Sequence, residues 1–469
     1  MNKFYITTAI DYTNDTIHVG HAFQKILADV LARYNRAKLG KENVFFLTGT
    51  DEYGQKVEKA AIEAGVSAKE FVDKIAKSDQ KQQDALNISY DRFIRTTDSD
   101  HQKVAQEIWK RVEKSGDIYL GDFRGLYCPG CEAYYTEQDL IGGKCPFHPT
   151  LEIKLITEKN FFFKWSKYQI FLIDHIEKNP YFVFPQNRRQ EILAFAKTGI
   201  QDIPISRTSF TWGIPVPNHS GHFEYVWFDA LTNYLTGVGF LEDPKKFKKF
   251  WPADIHILGK DNLRWHALLW PAMLKSAGIE LPKTILVNGF LSLNGQKISK
   301  SIGNIIRPTD WVTKYSTDTV RYYLLRYTTT ISDSDISEEK LKIAYNADLA
   351  NGLGNLVARV AKLCEQNNIN TSNAVNEFDP MMTKFLEDYK FNEALNHIWE
   401  EITVADKKIN EEKPWELTGE KLTQVLEDLV KKIQHITFNL QPFLPQTAEK
   451  ILKQFSGQIK SQPPLFPRI

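Results

Sequence analysis

The stretch KFYITTAIDYTNDTIHVGHAFQKILADVLARYNRAKLGKENVFFLTGTDEYG, residues 3–54, decides the fold. Its opening, KFYITTAI, is rich in β-branched and aromatic types and predicts a strand over 3–10. From Val19 to about Lys38, the residues Phe23, Ile26, Leu27, Val30, Leu31 and Tyr34 recur at spacings of three and four. That spacing predicts a helix with one apolar face, and Gly40 is placed to end it. NVFFLT, 43–48, reads as a second strand, with a polar turn over 49–54. Strand, helix and strand in this order make a βαβ unit and therefore a parallel sheet.

Further along, YVWFDA (225–230), DIHILGK (254–260) and TILVNGF (284–290) have strand-like patterns, so the α/β alternation resumes after an interruption from about 117 to 200. Beyond about residue 345 the pattern is helical: ADLANGLGNLVARVAKL, FNEALNHIWEEITVADKKI and LEDLVKKIQHITFNLQPFL are each amphipathic, which predicts a helical bundle. The expectation is an α/β domain split by an insertion and followed by an all-α domain.

With 469 residues the chain is too long for a single core. Lys plus Arg is 59 and Asp plus Glu is 58, a net charge of +1, which argues against indiscriminate coating of nucleic acid and confines any RNA contact to a local patch. The start, MNKFYITTAIDYTN, has no signal-peptide pattern, and no apolar run reaches bilayer-spanning length. Three of the four cysteines fall in one window, and Cys364 stands alone in a helical stretch as a candidate buried residue. This usage fits a soluble protein of the reducing cytoplasm.

Three groups of residues carry chemistry. His18-Val19-Gly20-His21 opens the first helix, where free N–H groups and the positive dipole end suit phosphates. Lys297-Ile298-Ser299-Lys300-Ser301 sits between the turn signals Asn294-Gly295 and Gly303-Asn304, and two lysines there can clamp a triphosphate. Each is weak alone; the pair is far stronger. Third, Cys128-Pro-Gly-Cys131 is followed after thirteen residues by Cys145-Pro-Phe-His148, the Cys3His spacing of a closed, tetrahedral, structural zinc site.

The first two groups resemble the signatures of the class I aminoacyl-tRNA synthetases. The longer segments TTAIDYTNDTIHVGH, FFLTGTDEYG, DIPISR, WGIPVP, YVWFDALTNY, GKDNLRWHALLWPAMLKSAGI and NADLANGLGNLVAR resemble, in that order, the methionyl-tRNA synthetase family. The likeness runs from near residue 4 to PFLPQTAEKI. It implies a Rossmann-type catalytic domain in two halves, 1–116 and 201–305, split by a zinc-knuckle insertion at 117–200. A linking region at 306–345 and an anticodon-binding bundle at 346–469 would complete it.

The resemblance also implies roles. His18, Gly20, His21, Lys297, Ser299 and Lys300 would bind ATP, and His18, His21, Lys297 and Lys300 would stabilise adenylate formation. Ile10, Tyr12, Trp227, Ala230, Tyr234, Asp261, Asn262 and His266 would line the methionine site, Asp51 would hold the substrate ammonium, and Arg207 would lie nearby. An aromatic-lined slot suits an unbranched thioether. Where this chain has Asn262 the family frequently has isoleucine. Asn355, Arg359 and Trp415 would read the anticodon, since loop bases are met by stacking and by hydrogen bonds to exposed edges. One structural Zn2+ and Mg2+ with ATP are the implied cofactors, and tRNA(Met), methionine and ATP the partners, with no DNA and no membrane. With no appended C-terminal module in the sequence, a monomer is expected.

Related readings fit less well. Leucyl, isoleucyl and valyl enzymes carry a much larger insertion, and cysteinyl enzymes place zinc in the amino-acid pocket. A small-molecule nucleotidyltransferase would leave the knuckles and the bundle without purpose. A non-catalytic RNA binder would not need His21 or Lys300.

Overall fold

In the computed structural model, residues 3–135, 137–298, 303–371 and 376–469 are described. The chain divides into two compact units. One comprises Met1–Ile17, Leu39–Lys81 and Tyr90–Asn288; the other comprises His18–Lys38, Gln82–Ser89 and Gly289–Ile469.

The first unit is built on a seven-stranded sheet among the described residues, with all pairings parallel. Side by side run Asp11–Tyr12, Val44–Asp51, Phe4–Thr8, Ile255–Gly259, Thr284–Asn288 and Val183–Phe184, and Arg92–Arg95 also pairs with Val44–Asp51. Ile6 is in register with Phe46 on one side and Ile255 on the other. Such central parallel strands are covered on both faces, which is why VFFLTGTD is buried throughout. The second strand runs to Asp51, so residues 49–51, expected in a turn, continue the sheet.

Two segments depart from the sequence reading. YVWFDA carries β-branched and aromatic residues, yet Val226–Ala230 is a short helix, because packing of Val226, Phe228 and Ala230 into the core overrides local preference. Val183–Phe184 lies within the stretch expected as an insertion but pairs with Thr284–Asn288 at the sheet edge. What does project from the sheet is an antiparallel hairpin, Ile118–Cys128 against Lys154–Phe163, with Ala133–Tyr135 folded onto its tip.

The 21-residue helix Val19–Leu39, as the apolar spacing predicts, belongs to the second unit up to Lys38. It belongs with helices Pro308–Tyr315 and Thr317–Arg326 and the C-terminal helices Asn355–Gln366, Phe391–Glu412, Gly419–Leu440 and Pro445–Gln454. Arg321, fully buried, joins three of these pieces. Its Nη1 is 2.8 Å from Asp29 Oδ2, and it donates to the carbonyls of Phe443, Pro442 and Leu86. Charge pairing holds the Asp29 carboxyl below its usual range despite burial. Cys364 is fully buried in its helix. Among the described residues no helix is long and apolar enough to cross a membrane.

Candidate functional site

Ligands of open parallel sheets sit in the crevice beyond the carboxyl ends of the strands. Three neighbouring strands of the first unit deliver candidates there. Ile10 and Tyr12 follow Phe4–Thr8, Asp51 ends Val44–Asp51, and Lys260, Asp261 and Asn262 follow Ile255–Gly259. Tyr12 and Asp51 are register partners.

Asp51 is buried, and its Oδ1 has no hydrogen-bond partner among the described residues. Burial, reinforced by the nearby Glu132 carboxylate, pushes the Asp51 carboxyl well above its usual range. A cation beside it would favour its ionised form.

The apolar side of the site comes from two short helices, Val226–Ala230 and Asn233–Thr236, and from the wide π-turn Trp265–Leu269. Extra-residue turns of this kind recur at functional sites. The rings of Trp227 and Trp265 stack at 4.9 Å with an interplanar angle of 14°. Tyr234 is fully buried, its ring centroid 4.2 Å from that of His256, and its hydroxyl is 2.7 Å from His266 Nε2. His266 Nδ1 faces the Asn262 carbonyl oxygen at 2.9 Å. A carbonyl only accepts, so Nδ1 carries the proton and Nε2 accepts from Tyr234. Burial lowers the His266 pKa to about 4, which keeps the ring neutral. Asn262 thus contributes its main-chain carbonyl here.

Arg207 is fully buried and not part of a surface ion pair. Its guanidinium lies 3.1 Å from Glu158, donates to Ser209 and covers the Tyr127 ring at 4.7 Å. Burial alone would raise the Glu158 carboxyl; the Arg207 charge outweighs it and holds the group below its usual value.

The four knuckle residues converge, with one ligand atom from each within 4.8 Å of the others. Cys131 Sγ is 3.4 Å from Cys145 Sγ and 3.1 Å from His148 Nδ1, and Cys128 Sγ is 4.0 Å from His148 Nδ1. Sulfurs about 2.3 Å from one ion in a tetrahedron stand roughly 3.8 Å apart, so the set fits a metal ion. The Tyr135 hydroxyl donates to Cys131 Sγ at 3.2 Å, a supporting contact that orients the ligand. Gly130 makes room: a Cβ there would stand 2.5 Å from Cγ of His148.

The second unit holds the histidine and lysine motifs. His18 and His21 flank the helix start with ring centroids 4.1 Å apart, and the Gly20 N–H donates to His18 Nδ1 at 3.0 Å. Lys297 is exposed in the hairpin Leu291–Leu293 with Gln296–Lys297, whose turn is tied by Asp335 accepting from the Gly295 N–H. Ser299 and Lys300 lie outside the described residues.

Of the three bundle candidates, Asn355 is exposed, and Arg359 contacts Asp406 at 2.6 Å and Asn410 at 2.8 Å. Trp415, on a turn after Pro414, is 55% exposed, so it is not a core residue. Sequence reasoning missed Trp265, His256 and Glu132. The first two sit in recognised segments, but only the fold shows that they face Trp227 and Tyr234. Glu132 accepts from the Tyr12 hydroxyl at 2.6 Å, and nothing in its spacing announces this.

The chain is similar to known proteins over most of its length. The family model described as tRNA synthetases class I (M) matches residues 4–153 and 150–361. The methionine–tRNA ligase of Caldanaerobacter subterraneus is 40% identical over 96% of this chain and 73% of its own length. That of Rickettsia conorii is 39% identical over 97% and 92%. Among solved structures, Mycobacterium tuberculosis methionyl-tRNA synthetase in complex with methionyl-adenylate superposes with a TM-score of 0.91 at 37% identity, covering all of both chains. Its apo form gives 0.85 at 34%, covering 100% of this chain and 98% of that one. The chain therefore belongs to the class I tRNA synthetases, among the methionine–tRNA ligases.

Proposed function

We propose that the chain activates methionine with ATP, forming methionyl-adenylate and pyrophosphate, and then transfers the methionyl group to the 3′ end of tRNA(Met), releasing AMP. The observation that carries this reading is the aromatic cluster of Trp227, Trp265 and Tyr234 with the neutral His266, together with the buried Asp51 carboxylate at the end of its strand. A thioether suits an aromatic lining, and an α-ammonium suits a buried carboxylate.

The reaction requires positioning and charge stabilisation, because the substrate carboxylate is itself the nucleophile. Under this reading Ile10, Tyr12, Trp227, Ala230, Tyr234 and His266 hold the side chain. Asp51 holds the ammonium, and Asp261, Asn262 and Arg207 shape the surrounding site. His18, Gly20 and His21 receive the phosphates, and Lys297, Ser299 and Lys300 stabilise charge on the departing pyrophosphate. Residues 1–116 and 201–305, with the edge strand Val183–Phe184, would carry adenylation, the rest of 117–200 the knuckle, 306–345 the link and 346–469 the anticodon contacts.

Cys128, Cys131, Cys145 and His148 would hold one Zn2+, which fills all four positions and so supplies structure, not a reactive water. Mg2+ would enter with ATP. Asn355, Arg359 and Trp415 would meet the anticodon, and the working form would be a monomer; sedimentation as a dimer at micromolar concentration would overturn that.

Pyrophosphate exchange run with each of the twenty amino acids tests the central reading. Exchange with methionine alone is expected; exchange with a different amino acid would reassign the pocket. Trp415→Ala is expected to lower tRNA charging about tenfold while leaving exchange unchanged, as loss of one base-stacking platform would.

A further inference from the structure

Glu132 directly follows the ligand Cys131, yet its side chain leaves the metal cluster. The backbone turns through a left-handed conformation there (φ 48°), and the residue is only 4% exposed. Its Oε2 accepts from the Tyr12 hydroxyl at 2.6 Å, its Oε1 accepts from the Lys56 N–H at 2.5 Å, and its carbonyl accepts from the Tyr225 hydroxyl at 2.6 Å.

Lys56 lies in the first turn of helix Gln55–Glu63, whose own cap residue, Gly54, offers no side chain. A carboxylate from 76 residues away therefore takes the capping position, where it satisfies a free N–H and meets the positive end of the helix. Gly54 itself leaves the space: at φ 113° a Cβ would stand 2.4 Å from Glu132 Oε2 and 2.6 Å from the Tyr12 hydroxyl. The Lys56 ammonium closes the arrangement, donating to the Gly130 carbonyl at 3.2 Å and lying 5.7 Å from the centre of the Tyr12 ring. One side chain thus links the metal knuckle, a helix start and a wall of the amino-acid pocket.

We propose that Glu132 is a positioning residue for methionine: anchored by the knuckle, it holds Tyr12 in place and so couples the metal-bound state of the insertion to the shape of the amino-acid pocket. It does not touch the reacting atoms. The inference rests on the reading of Tyr12 as a pocket wall.

The test is equilibrium methionine binding by calorimetry without ATP, on the full chain with zinc, for wild type, Glu132→Ala, Glu132→Gln and Tyr12→Ala. Michaelis constants for methionine and ATP and zinc per chain are measured alongside. Loss of a charge-assisted hydrogen bond predicts that Glu132→Ala raises the methionine Kd about tenfold. The ATP KM is expected to stay within about twofold, and zinc at one per chain. Glu132→Gln, which keeps one acceptor oxygen, should fall between wild type and Glu132→Ala. Stripping the metal from wild type should weaken methionine binding to a similar extent, with little further loss on stripping Glu132→Ala.

An unchanged methionine Kd in Glu132→Ala, with Tyr12→Ala impaired, overturns the proposal and leaves the pocket reading intact. An ATP KM that rises as much as the methionine KM overturns it too. Should Glu132→Ala lose zinc or fail to fold, Glu132→Gln decides: an unchanged Kd there refutes the positioning role. Tyr12→Ala without effect on methionine removes the pocket reading, and this inference with it.

Discussion

The Tyr234 hydroxyl donates to Nε2 of His266 across 2.7 Å, while Nδ1 of the same ring donates to the Asn262 carbonyl at 2.9 Å. Both ring nitrogens are therefore committed, and one tautomer is selected. Tyr234→Phe leaves Nε2 buried without its partner, a loss of about 1–2 kcal/mol. The methionine KM is expected to rise about tenfold, with the ATP KM unchanged. Pyrophosphate-exchange kinetics read both constants; equal rises in the two would assign Tyr234 to the fold and not to the pocket.

Asp51 yields a pH prediction. Burial pushes its carboxyl up, whereas an ammonium partner requires the anion. Methionine binding should therefore release a proton, and affinity should improve as pH rises through the raised Asp51 pKa. His266, with its pKa near 4, stays neutral over the same range and adds no opposing trend. Calorimetry over a series of pH values, in buffers of different ionisation heat, measures both the affinity and the proton. Asp51→Asn should abolish the pH trend; a trend that persists in Asp51→Asn would show that another group titrates.

His101 is buried, and burial lowers its pKa to about 3. The unfolded chain, with a histidine near pKa 6.5, binds more protons between these values, so this group's contribution is full above about pH 6.5 and is lost as pH falls. Glu224 and Asp229, whose carboxyls burial pushes up, act in the opposite direction, so total stability is a sum of opposing trends. The difference between wild type and His101→Gln isolates one residue. Denaturant unfolding at pH 7 and pH 5 should show the wild type losing about 2 kcal/mol relative to the variant. A constant difference would mean that His101 already titrates normally.

Gly130 predicts a metal effect. In Gly130→Ala the new Cβ would lie 2.5 Å from Cγ and 2.7 Å from Cδ2 of His148, and 2.7 Å from Leu151 Cδ1. The imidazole must shift, and zinc affinity should drop about tenfold to a hundredfold. Competition with a chromogenic chelator measures it. Retention of wild-type affinity would show that His148 is not held as a ligand.

The βαβ start was legible because periods of two and 3.6 residues separate a strand from a helix within a few turns of chain. The knuckle was legible because ligand type and spacing carry its geometry. The π-turns at Trp265–Leu269 and Tyr345–Gly354 were not, since one additional residue per turn leaves the apolar pattern almost unchanged. Arg207 and Glu158 lie 49 residues apart, so their pairing exists only once residues near 207 have come back against the strand Lys154–Phe163. Glu132 was hidden for a related reason. Its direction follows from a single left-handed residue, and glutamate gives no signal of that conformation.

The buried pair of Asp29 and Arg321 limits how this chain could be recombined with its relatives. A crossover near residue 288 would exchange Arg321 while retaining Asp29, and would also separate Arg321 from the Leu86 carbonyl. If the incoming segment lacked a matching cation, Asp29 would keep only Arg33 of its two basic partners. Breaking such a pair costs about 3–5 kcal/mol, a large part of a domain's stability. Working chimeras should therefore transplant residues 18–38 and 82–89 together with everything after 288, so that three separate blocks of sequence are inherited as one.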